Sequence, residues 1–548
     1  MRSMTGGQLL VDALRSHHVD TIYCIPGESY LPVLDALHDA HSIRTVVARH
    51  EGAACYMAEA YGKLTGQPGI CFVTRGPGAS HASVGLHAAS EDSTPLILFI
   101  GQVETQFLGR GAFQEIDYSK MFGGIAKAVH QVRAIADLPK IINDAFELAV
   151  NGRPGPVVVE LPEDILFSSI EQSDLGSFSA ELTKREELDM SELEHLLVSA
   201  ERPIVVIGGS CWSEEGLSAF RQFIHRYQLP VVAGFRRQDL FDNEDTHYIG
   251  MLGLGVNPAL IQRVRDADVV LVVGSRLSEV TSNGYSLFRQ EDSDQKLIHL
   301  YTEPNVLADI YKPSLAIHAP LRDLALALAA LPAPAIVQGA SWLQAARQEY
   351  ELFIQVPVVH PRHTGVDMGK VVQYLNDHLT DDAIICNGAG NFTVWVHRFY
   401  KYRSYVTELA PTNGSMGYGL PAAIAAKIRH PEKTVVCFSG DGCFMMYPQE
   451  LATAVQEHAA VIVLIVNNGM YGTIRMHQER EYPGRVFASD LVNPDFVALA
   501  NSFGAYAERV TTFDEFPTAL ARALASKRPS VIELTTDPVQ LSPTKRLQ

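Results

Sequence analysis

Two strand-like apolar runs joined by a helical stretch constrain the fold of this chain more than any other feature. The run 434–439 leads into Gly-Asp-Gly at 440–442, and a second run, 459–466, ends at the paired asparagines 467–468. The stretch 448–458 between them is typical of a helix. Strand, helix and strand in this order predict a β-α-β unit with parallel strands. Its polar residues then fall at the carboxyl ends of the strands, where open α/β sheets bind ligands.

Asp441 and Asn468 are predicted to present oxygen atoms at that edge of the sheet. A carboxylate and an amide oxygen are hard ligands, and Mg²⁺ prefers oxygen, few protein ligands and an accompanying phosphate. Gly440 and Gly442 let the backbone approach such a phosphate. The alternative is a buried strand that ends in an ordinary Asp-Gly turn. The paired asparagines on the next strand favour the magnesium site.

Glu51 lies at a second strand-to-helix junction, near the other end of the chain. The apolar run 44–48 precedes it, and the helical segment 53–64 follows. A carboxylate at such a junction favours a functional role over a surface one. The alternative is a glutamate that only complements the dipole at the start of a helix, which is common.

A third element, at 413–423, reads Asn-Gly-Ser-Met-Gly-Tyr-Gly-Leu-Pro-Ala-Ala. With the other two elements it resembles the thiamine diphosphate (ThDP) enzymes, and among them the large catalytic subunit of acetolactate synthase. Further motifs that carry this resemblance are Ile-Pro-Gly-Glu at 25–28, Arg-His-Glu at 49–51, Gly-Pro-Gly-Ala at 76–79, Gly-Gln-Val at 101–103, Ala-Phe-Gln-Glu at 112–115 and Leu-Gly at 252–253.

The resemblance implies a cofactor site made from both ends of the chain. Its magnesium ligands are expected to be Asp441, Asn468 and the main-chain carbonyl of Met470. Glu51 is expected to hydrogen-bond N1′ of the aminopyrimidine ring, which favours the imino tautomer that creates the nucleophilic ylide. The Met416 side chain is expected to wedge the cofactor into its bent shape. The other cofactor-binding residues that the family pattern implies are Gly27, Gly414, Gly440 and Gly442.

The predicted fold class is α/β, with three doubly wound parallel-sheet domains. The pyrimidine-binding domain is placed at 1–167, the central domain at 190–330 and the diphosphate-binding domain at 366–548, with a polar connector at 168–189. In the family, the first and third domains are related folds that meet across a dimer interface. The resemblance therefore implies a homodimer or homotetramer with active sites between chains.

The composition is that of a soluble cytoplasmic enzyme. Among 548 residues, 47% are hydrophobic and 19% charged, which is ample core material. The formal net charge of −18 argues against nucleic acid and anionic membranes as partners. The first ten residues contain no apolar signal region, and no apolar run is long enough to span a bilayer. The seven cysteines lack Cys-x-x-Cys spacing and are predicted to be reduced core residues.

The central domain departs from the synthase pattern where a flavin would bind. Synthases follow Gly-Ala-Arg-Phe with Asp-Asp-Arg, but this chain has Gly-Ser-Arg-Leu at 274–277 and no second arginine. Their His-Ile-Asp-x-Asp-Pro appears as His-Leu-Tyr-Thr-Glu-Pro at 299–304, without either aspartate. The Gly-Gly turn at 208–209 is weak support for a pyrophosphate site. FAD is therefore a possible cofactor that the sequence does not support, and a purely structural central domain is favoured.

The substrate side also differs from the relatives. The resemblance places Gln114 and Phe113 beside the thiazolium ring, Gln114 orienting the reacting carbonyl and Phe113 excluding water. Glu28 occupies the place of a decarboxylase aspartate and is either a proton shuttle with a pKa raised by burial or a solvated turn residue. His81 and His87 lie near the ring-binding loop and are minor candidates, because a histidine is more often structural than catalytic. The substrate-pocket candidates are Ser29, Thr473, Ile474 and His477, the last near the position of a synthase tryptophan.

The predicted function is that of a ThDP- and Mg²⁺-dependent carboligase that decarboxylates a 2-oxo acid such as pyruvate. The enamine formed after loss of CO₂ then adds to a second carbonyl, as in acetolactate synthase. The alternative is a non-oxidative decarboxylase that protonates the enamine and releases an aldehyde. A third interpretation, a catalytically silent cofactor-binding partner protein, is disfavoured because Glu51, Asp441 and Asn468 are all present.

Overall fold

Parallel strand pairing organises the chain into three six-stranded sheets, each flanked by helices. This is seen in a computed structural model that describes residues 3–171, 188–288, 294–304, 310–336 and 339–547. Every strand pair within these three sheets is parallel. The predicted fold class, α/β with three parallel-sheet domains, is confirmed.

The first sheet has the strand order β3-β2-β4-β5-β7-β6. Strands β1 to β8 are Ser3–Thr5, Thr21–Cys24, Arg44–Val47, Gly69–Val73, Leu96–Gln102, Ala128–Gln131, Pro156–Pro162 and Ser169–Glu171, of which β1 and β8 form a separate antiparallel pair. Helices α1 to α7 are Gly6–Ser16, Leu31–His38, Glu51–Thr65, Gly76–Asp92, Tyr118–Phe122, Leu138–Val150 and Glu163–Phe167.

Helices α3 and α4 lie unusually close together, because small residues face each other. A Cβ atom added to Gly85 of α4 would lie 2.5 Å from the Cβ of Cys55 of α3. A Cβ added to Gly52 would lie 3.1 Å from the main-chain oxygen of His81. The start of α3, where Glu51 lies, is therefore held against the first turns of α4.

The second sheet has the order β11-β10-β9-β12-β13-β14. Its strands β9 to β14 are Pro203–Ile207, Val231–Ala233, Tyr248–Met251, Val269–Val273, Lys296–Tyr301 and Leu315–His318. Helices α8 to α12 are Ser191–Ser199, Glu214–Tyr227, Pro258–Asp266, Leu321–Ala330 and Ala340–Phe353. Successive residues of β9 belong to two different hydrophobic clusters, so both faces of this sheet are buried.

The third sheet has the order β16-β15-β17-β18-β20-β19. Strands β15 to β22 are Ile384–Asn387, Glu408–Leu409, Val435–Gly440, Ile462–Asn467, Tyr506–Val510, Ser530–Thr535, Gln540–Ser542 and Lys545–Arg546, and the last two form a small antiparallel pair. Helices α13 to α20 are Met368–His378, Thr393–Phe399, Gly419–Arg429, Asp441–Phe444, Glu450–Gln456, Gly472–Glu481, Phe496–Ser502 and Phe516–Ser526.

The chain divides into two compact units. The first comprises 1–185, 420–431 and 447–459, so that most of α15 and all of α17 belong with the first sheet. The second comprises 186–419, 432–446 and 460–548 and contains the other two sheets. The predicted domain bounds 1–167, 190–330 and 366–548 remain predictions. Most of the predicted connector 168–189 lies outside the described residues.

The cysteines agree with the expectation from composition. All seven cysteines are free, and six of them are buried. Among the described residues, none of the helices has the length and apolar character needed to cross a membrane.

A buried carboxyl group in the first sheet gives the fold a measurable pH dependence. Glu160 of β7 is 3% exposed, and burial raises its pKa to about 7, although hydrogen bonds from Gln102 and Gln131 oppose the shift. A carboxyl group with a raised pKa stabilises the folded state at pH values below its unfolded pKa, near 4.5, and this stabilisation is lost as the pH rises through about 7.

We therefore expect Glu160→Gln to gain stability relative to the wild type between about pH 5 and about pH 8, by on the order of 3 kcal/mol. Melting temperatures of the two proteins across this range measure the effect. Glu171→Gln changes an exposed carboxyl group of the same unit and should show no such trend. If the difference in melting temperature between the wild type and Glu160→Gln did not change with pH, the raised pKa of Glu160 would be contradicted.

Candidate functional site

Asp441 comes directly after β17 and is a buried carboxylate without a basic partner. It is 3% exposed, and its Oδ2 accepts hydrogen bonds from the main-chain N–H of Gly469 (3.0 Å) and from Nδ2 of Asn493 (2.7 Å). Among the described residues, no lysine, arginine or histidine forms an ion pair with it. Burial raises the pKa of Asp441, although these hydrogen bonds lower it in part. Such a carboxylate suits a bound cation, which would supply the missing countercharge.

The turn after β18 presents the two asparagines beside Asp441. The side-chain oxygen of Asn468 accepts from the main-chain N–H of Met470 (3.2 Å), and that of Asn467 accepts from Gly469 N–H (3.1 Å). Asn493 also donates to Asn467 (3.1 Å) and so links both strand ends. Asn493 was not found from the sequence, because it lies in an irregular loop with no motif around it. The predicted ligands Asp441, Asn468 and Met470 thus line one cleft, and Asn493 is an additional residue that holds Asp441.

A cleft of about 1190 Å³ opens at this edge of the third sheet. The volume exceeds that of most small-molecule pockets. The sequence-predicted residues that line it are Gly414, Met416, Gly440, Asp441, Gly442, Asn468, Met470, Thr473, Ile474 and His477. All predicted site residues of the second unit therefore share one cleft.

The glycines of the Gly-Asp-Gly turn are required by neighbouring rings. A Cβ atom on Gly442 would lie 2.5 Å from Tyr471, and one on Gly440 would lie 3.0 Å from Phe392. From the sequence, both glycines are explained by the close approach of a phosphate to the backbone. Close packing against the two aromatic rings also favours glycine at these positions.

Gly414 and Met416 lie at the opening of the loop that precedes α15. Gly414 has a φ of +71°, which favours glycine, and a Cβ added there would meet no atom within 4 Å. Met416 packs against the hydrophobic core of the third sheet while lining the cleft. Both residues line the cleft, and the open space beside Gly414 leaves its main chain accessible to a ligand.

Helix α18 carries the substrate-pocket candidates of the second unit. The Thr473 hydroxyl donates to the side-chain oxygen of Asn391 (2.8 Å), and Ile474 is 51% exposed. His477 lines the cleft but is exposed, and Arg480 donates to its Nδ1 (3.0 Å). His477 therefore lies on the rim of the cleft, where it is both a residue of the pocket lining and an exposed residue of the helix.

Glu51 is the first residue of α3 and lies in a cluster with two histidines. His50 caps the helix by accepting from the main-chain N–H of Gly52 (3.0 Å). Oε2 of Glu51 lies 2.8 Å from Nδ1 of His81, and the Glu51 side chain is 14% exposed. A Cβ on Gly78 would lie 3.6 Å from Oε1 of Glu51. The Gly-Pro-Gly-Ala motif is therefore adjacent to Glu51.

The loop that contains Gln114 reaches the same helix start. The carbonyl of Gln114 accepts from the N–H of Gly76 (3.0 Å), and Gln114 has a φ of +65°. Glu115 holds the loop by accepting from the N–H groups of Gly109 (2.5 Å) and Ala112 (2.9 Å). Gln114 and Glu51 thus both lie beside the first turn of α4. The place of Gln114 beside the thiazolium ring stays a prediction.

Three residues of the first unit differ from expectation in their exposure. Glu28 is exposed, so the burial invoked for a proton shuttle is wrong for the single chain. Ser29 is fully buried and its hydroxyl lies 3.0 Å from that of Thr74, because Gly101 and Gly27 pack closely around this turn. Phe113 is 75% exposed and, in the single chain, shields nothing from water.

The second sheet offers little room between its central strands. A Cβ on Gly209 would lie 2.0 Å from the carbonyl oxygen of Gly274, since the turns after β9 and β12 touch. This contact serves the packing of the sheet. FAD remains an untested possibility.

Three family models match the chain. They are the N-terminal TPP binding domain of thiamine pyrophosphate enzymes at 4–121, their central domain at 190–331 and their C-terminal TPP binding domain at 388–534. The match to the N-terminal TPP binding domain includes Glu51, and the match to the C-terminal TPP binding domain includes Asp441.

Curated relatives match almost the whole chain. The acetolactate synthase large subunit of Parasynechococcus marenigrum is 33% identical, over 97% of this chain and 88% of that protein. The acetolactate synthase isozyme 2 large subunit of Escherichia coli is 30% identical, over 98% and 96%. A solved thiamine diphosphate-dependent 4-hydroxybenzoylformate decarboxylase of Rhodococcus jostii RHA1 superposes with a TM-score of 0.83 at 23% identity, covering 97% of this chain and 99% of that one. At that identity the likeness shows the fold alone.

The burial of Asp441 generates a test of the cleft. Asp441→Ala removes the carboxylate that the sequence predicts as a magnesium ligand, and it should therefore weaken the binding of thiamine diphosphate with Mg²⁺ by roughly a hundred-fold. Titration calorimetry measures the affinity. Asp441→Asn keeps the shape and one oxygen and should fall in between. Asp495→Ala, in an exposed helix cap, should bind as the wild type does. Unchanged affinity in Asp441→Ala would mean that Gly-Asp-Gly is only a turn.

Proposed function

The chain belongs to the thiamine pyrophosphate enzymes, and from that premise we propose that it is a ThDP- and Mg²⁺-dependent carboligase that decarboxylates a small 2-oxo acid. The proposal is supported by one observation above all. A buried carboxylate without a basic partner lies at the carboxyl end of a parallel strand, in a cleft large enough for the cofactor. The relatives named acetolactate synthases support the choice of reaction.

The residues present fit the metal and the diphosphate. Asp441, Asn468 and the carbonyl of Met470 would hold Mg²⁺, and Asn493 would keep the Asp441 carboxylate in place through its 2.7 Å hydrogen bond. The open main chain at Gly414 would receive the pyrimidine ring. When bound, thiamine diphosphate supplies a carbon nucleophile and an electron sink for the loss of CO₂.

The first unit would contribute the proton chemistry and the shape of the reacting space. Glu51 would hold a proton at its carboxylate, hydrogen-bonded to the pyrimidine nitrogen. Gln114 would orient the reacting carbonyl, and Phe113 would exclude water once a neighbouring chain covers it. Active sites between chains of a homodimer or homotetramer are therefore part of the proposal. A cytoplasmic location, with no nucleic acid or membrane partner, also belongs to it.

An aldehyde-releasing decarboxylase is the second candidate. The polar rim at His477 favours it, since water that reaches the site would supply the proton that ends the reaction without a second carbonyl. The two candidates share the first half of the reaction, up to the release of CO₂. They would differ only in whether the residues of the site admit a proton or a second carbonyl after the release of CO₂.

Product analysis separates the candidates. Purified protein with ThDP and Mg²⁺ is given a panel of small 2-oxo acids, alone and in pairs, and the products are identified by mass. We expect CO₂ together with an acyloin or an acetohydroxy acid. Aldehyde alone would establish the decarboxylase. No CO₂ from any of these acids, with cofactor bound, would contradict both.

The rim residue His477 is expected to influence the choice of acceptor. His477→Trp places a larger apolar ring at the cleft and should shift the product ratio between two competing 2-oxo acids by about ten-fold, since a pocket discriminates through what it fills. CO₂ release from the donor should persist. Glu481→Trp, on the same helix but outside the cleft lining, is the matched control and should leave the ratio unchanged. An equal ratio in His477→Trp would place His477 outside the acceptor pocket.

A further inference from the structure

The two carboxylate oxygens of Glu51 have different surroundings. Oε2 lies 2.8 Å from Nδ1 of His81, whereas Oε1 has no hydrogen-bond partner among the described residues. We propose that His81 is a positioning residue for Glu51: it donates its Nδ1–H to Oε2 and thereby leaves Oε1 directed to the cofactor nitrogen. This inference rests on the proposed function, since it assigns Glu51 to the pyrimidine ring.

The backbone holds the donor and the acceptor at this distance. His81 and Gly85 are four residues apart on α4 and therefore share one face, which packs on α3. Gly85 packs against Cys55, and Gly52 at the start of α3 lies close to the main-chain oxygen of His81, so the two helices are closely packed where Glu51 meets His81. The contact is therefore set by helix packing, although the His81 side chain itself is 52% exposed.

His50 cannot take the same role, although its ring lies 4.6 Å from that of His81. Its Nδ1 accepts from the N–H of Gly52 and caps α3. Burial, and then the neighbouring His81, lowers the pKa of His50, which favours the neutral ring that such a cap requires. The ring edge of His50 also packs against Tyr447, at 5.0 Å between centroids. His81 is thus the histidine that is placed to donate to Glu51.

The donor Nδ1 is bonded to Cγ of His81, and this position suggests two substitutions that separate the donor from the ring. In asparagine, the amide nitrogen is bonded to Cγ, as Nδ1 is in histidine, so His81→Asn keeps an N–H near Oε2. His81→Leu has a similar size without any donor. His87→Leu also removes an exposed imidazole from α4, at a position further along the helix, and serves as the matched control.

The readout is the hydrogen–deuterium exchange of the thiazolium C2–H in bound ThDP, quenched in acid and read by NMR, with ThDP affinity measured by calorimetry. His81→Leu should slow exchange roughly ten-fold, the effect of losing a hydrogen bond to a charged group, while ThDP affinity and melting temperature stay near wild type. His81→Asn and His87→Leu should exchange at nearly the wild-type rate. Glu51→Gln sets the lower bound, because its amide cannot hold the proton.

Two results would overturn the proposal. If His81→Leu exchanged at the wild-type rate, the hydrogen bond from His81 to Oε2 would have no effect on the activation of ThDP. Exchange in His81→Asn as slow as in His81→Leu would mean that the imidazole ring, and not a donor at that place, is what matters. Wild-type protein that binds no ThDP would instead refute the proposed function, and the role of His81 with it. Wild-type exchange that is unaffected by Glu51→Gln would refute the assignment of Glu51.

Discussion

Parallel strand pairing is the constraint on which the rest of this structure depends. Because parallel strands point the same way, the residues that come after them gather at a single edge of each sheet. In the third sheet this places the end of β17 beside the end of β18, with Asp441 and Asn468 in one cleft. In the first sheet it places Glu51, which comes after β3, near the turn after β4 that opens α4. A site assembled in this way needs few special residues, since the sheet itself brings them together.

Small residues and short polar contacts then set the geometry that the sheets only approximate. Gly85 lets α3 and α4 approach until Glu51 reaches His81, and Asn493 ties Asp441 to the turn after β18. Both contacts join segments that are distant in sequence. They fix the direction of each carboxylate. Oε2 of Glu51 is held by His81, and Oδ2 of Asp441 is held by Gly469 and Asn493.

The sequence predicted much of this arrangement, and for a physical reason. Strands buried on both faces are continuous apolar runs, and the polar residues that interrupt such runs stand out, which is how Asp441, Asn468 and Glu51 were found. Exposure was harder to predict. Burial was one expectation for Glu28, which is exposed, while Ser29 was expected in a pocket and is enclosed by the turn around Gly101. Burial depends on what packs over a turn, and a local motif contains no information about that.

The sequence by itself determined the α/β fold, the parallel sheets and the residue types that gather at the strand ends, because these depend on hydrophobic periodicity and on motifs a few residues long. The tertiary structure alone decided which partners those residues meet. Asn493 belongs to a segment with no distinctive pattern, and the motif at 76–79 that precedes His81 does not indicate which residue His81 contacts. Only the packing of distant helices and loops brings these two residues within 2.8 Å of Asp441 and Glu51. Hydrogen bonds form between neighbours in space, and a linear pattern records neighbours only along the chain.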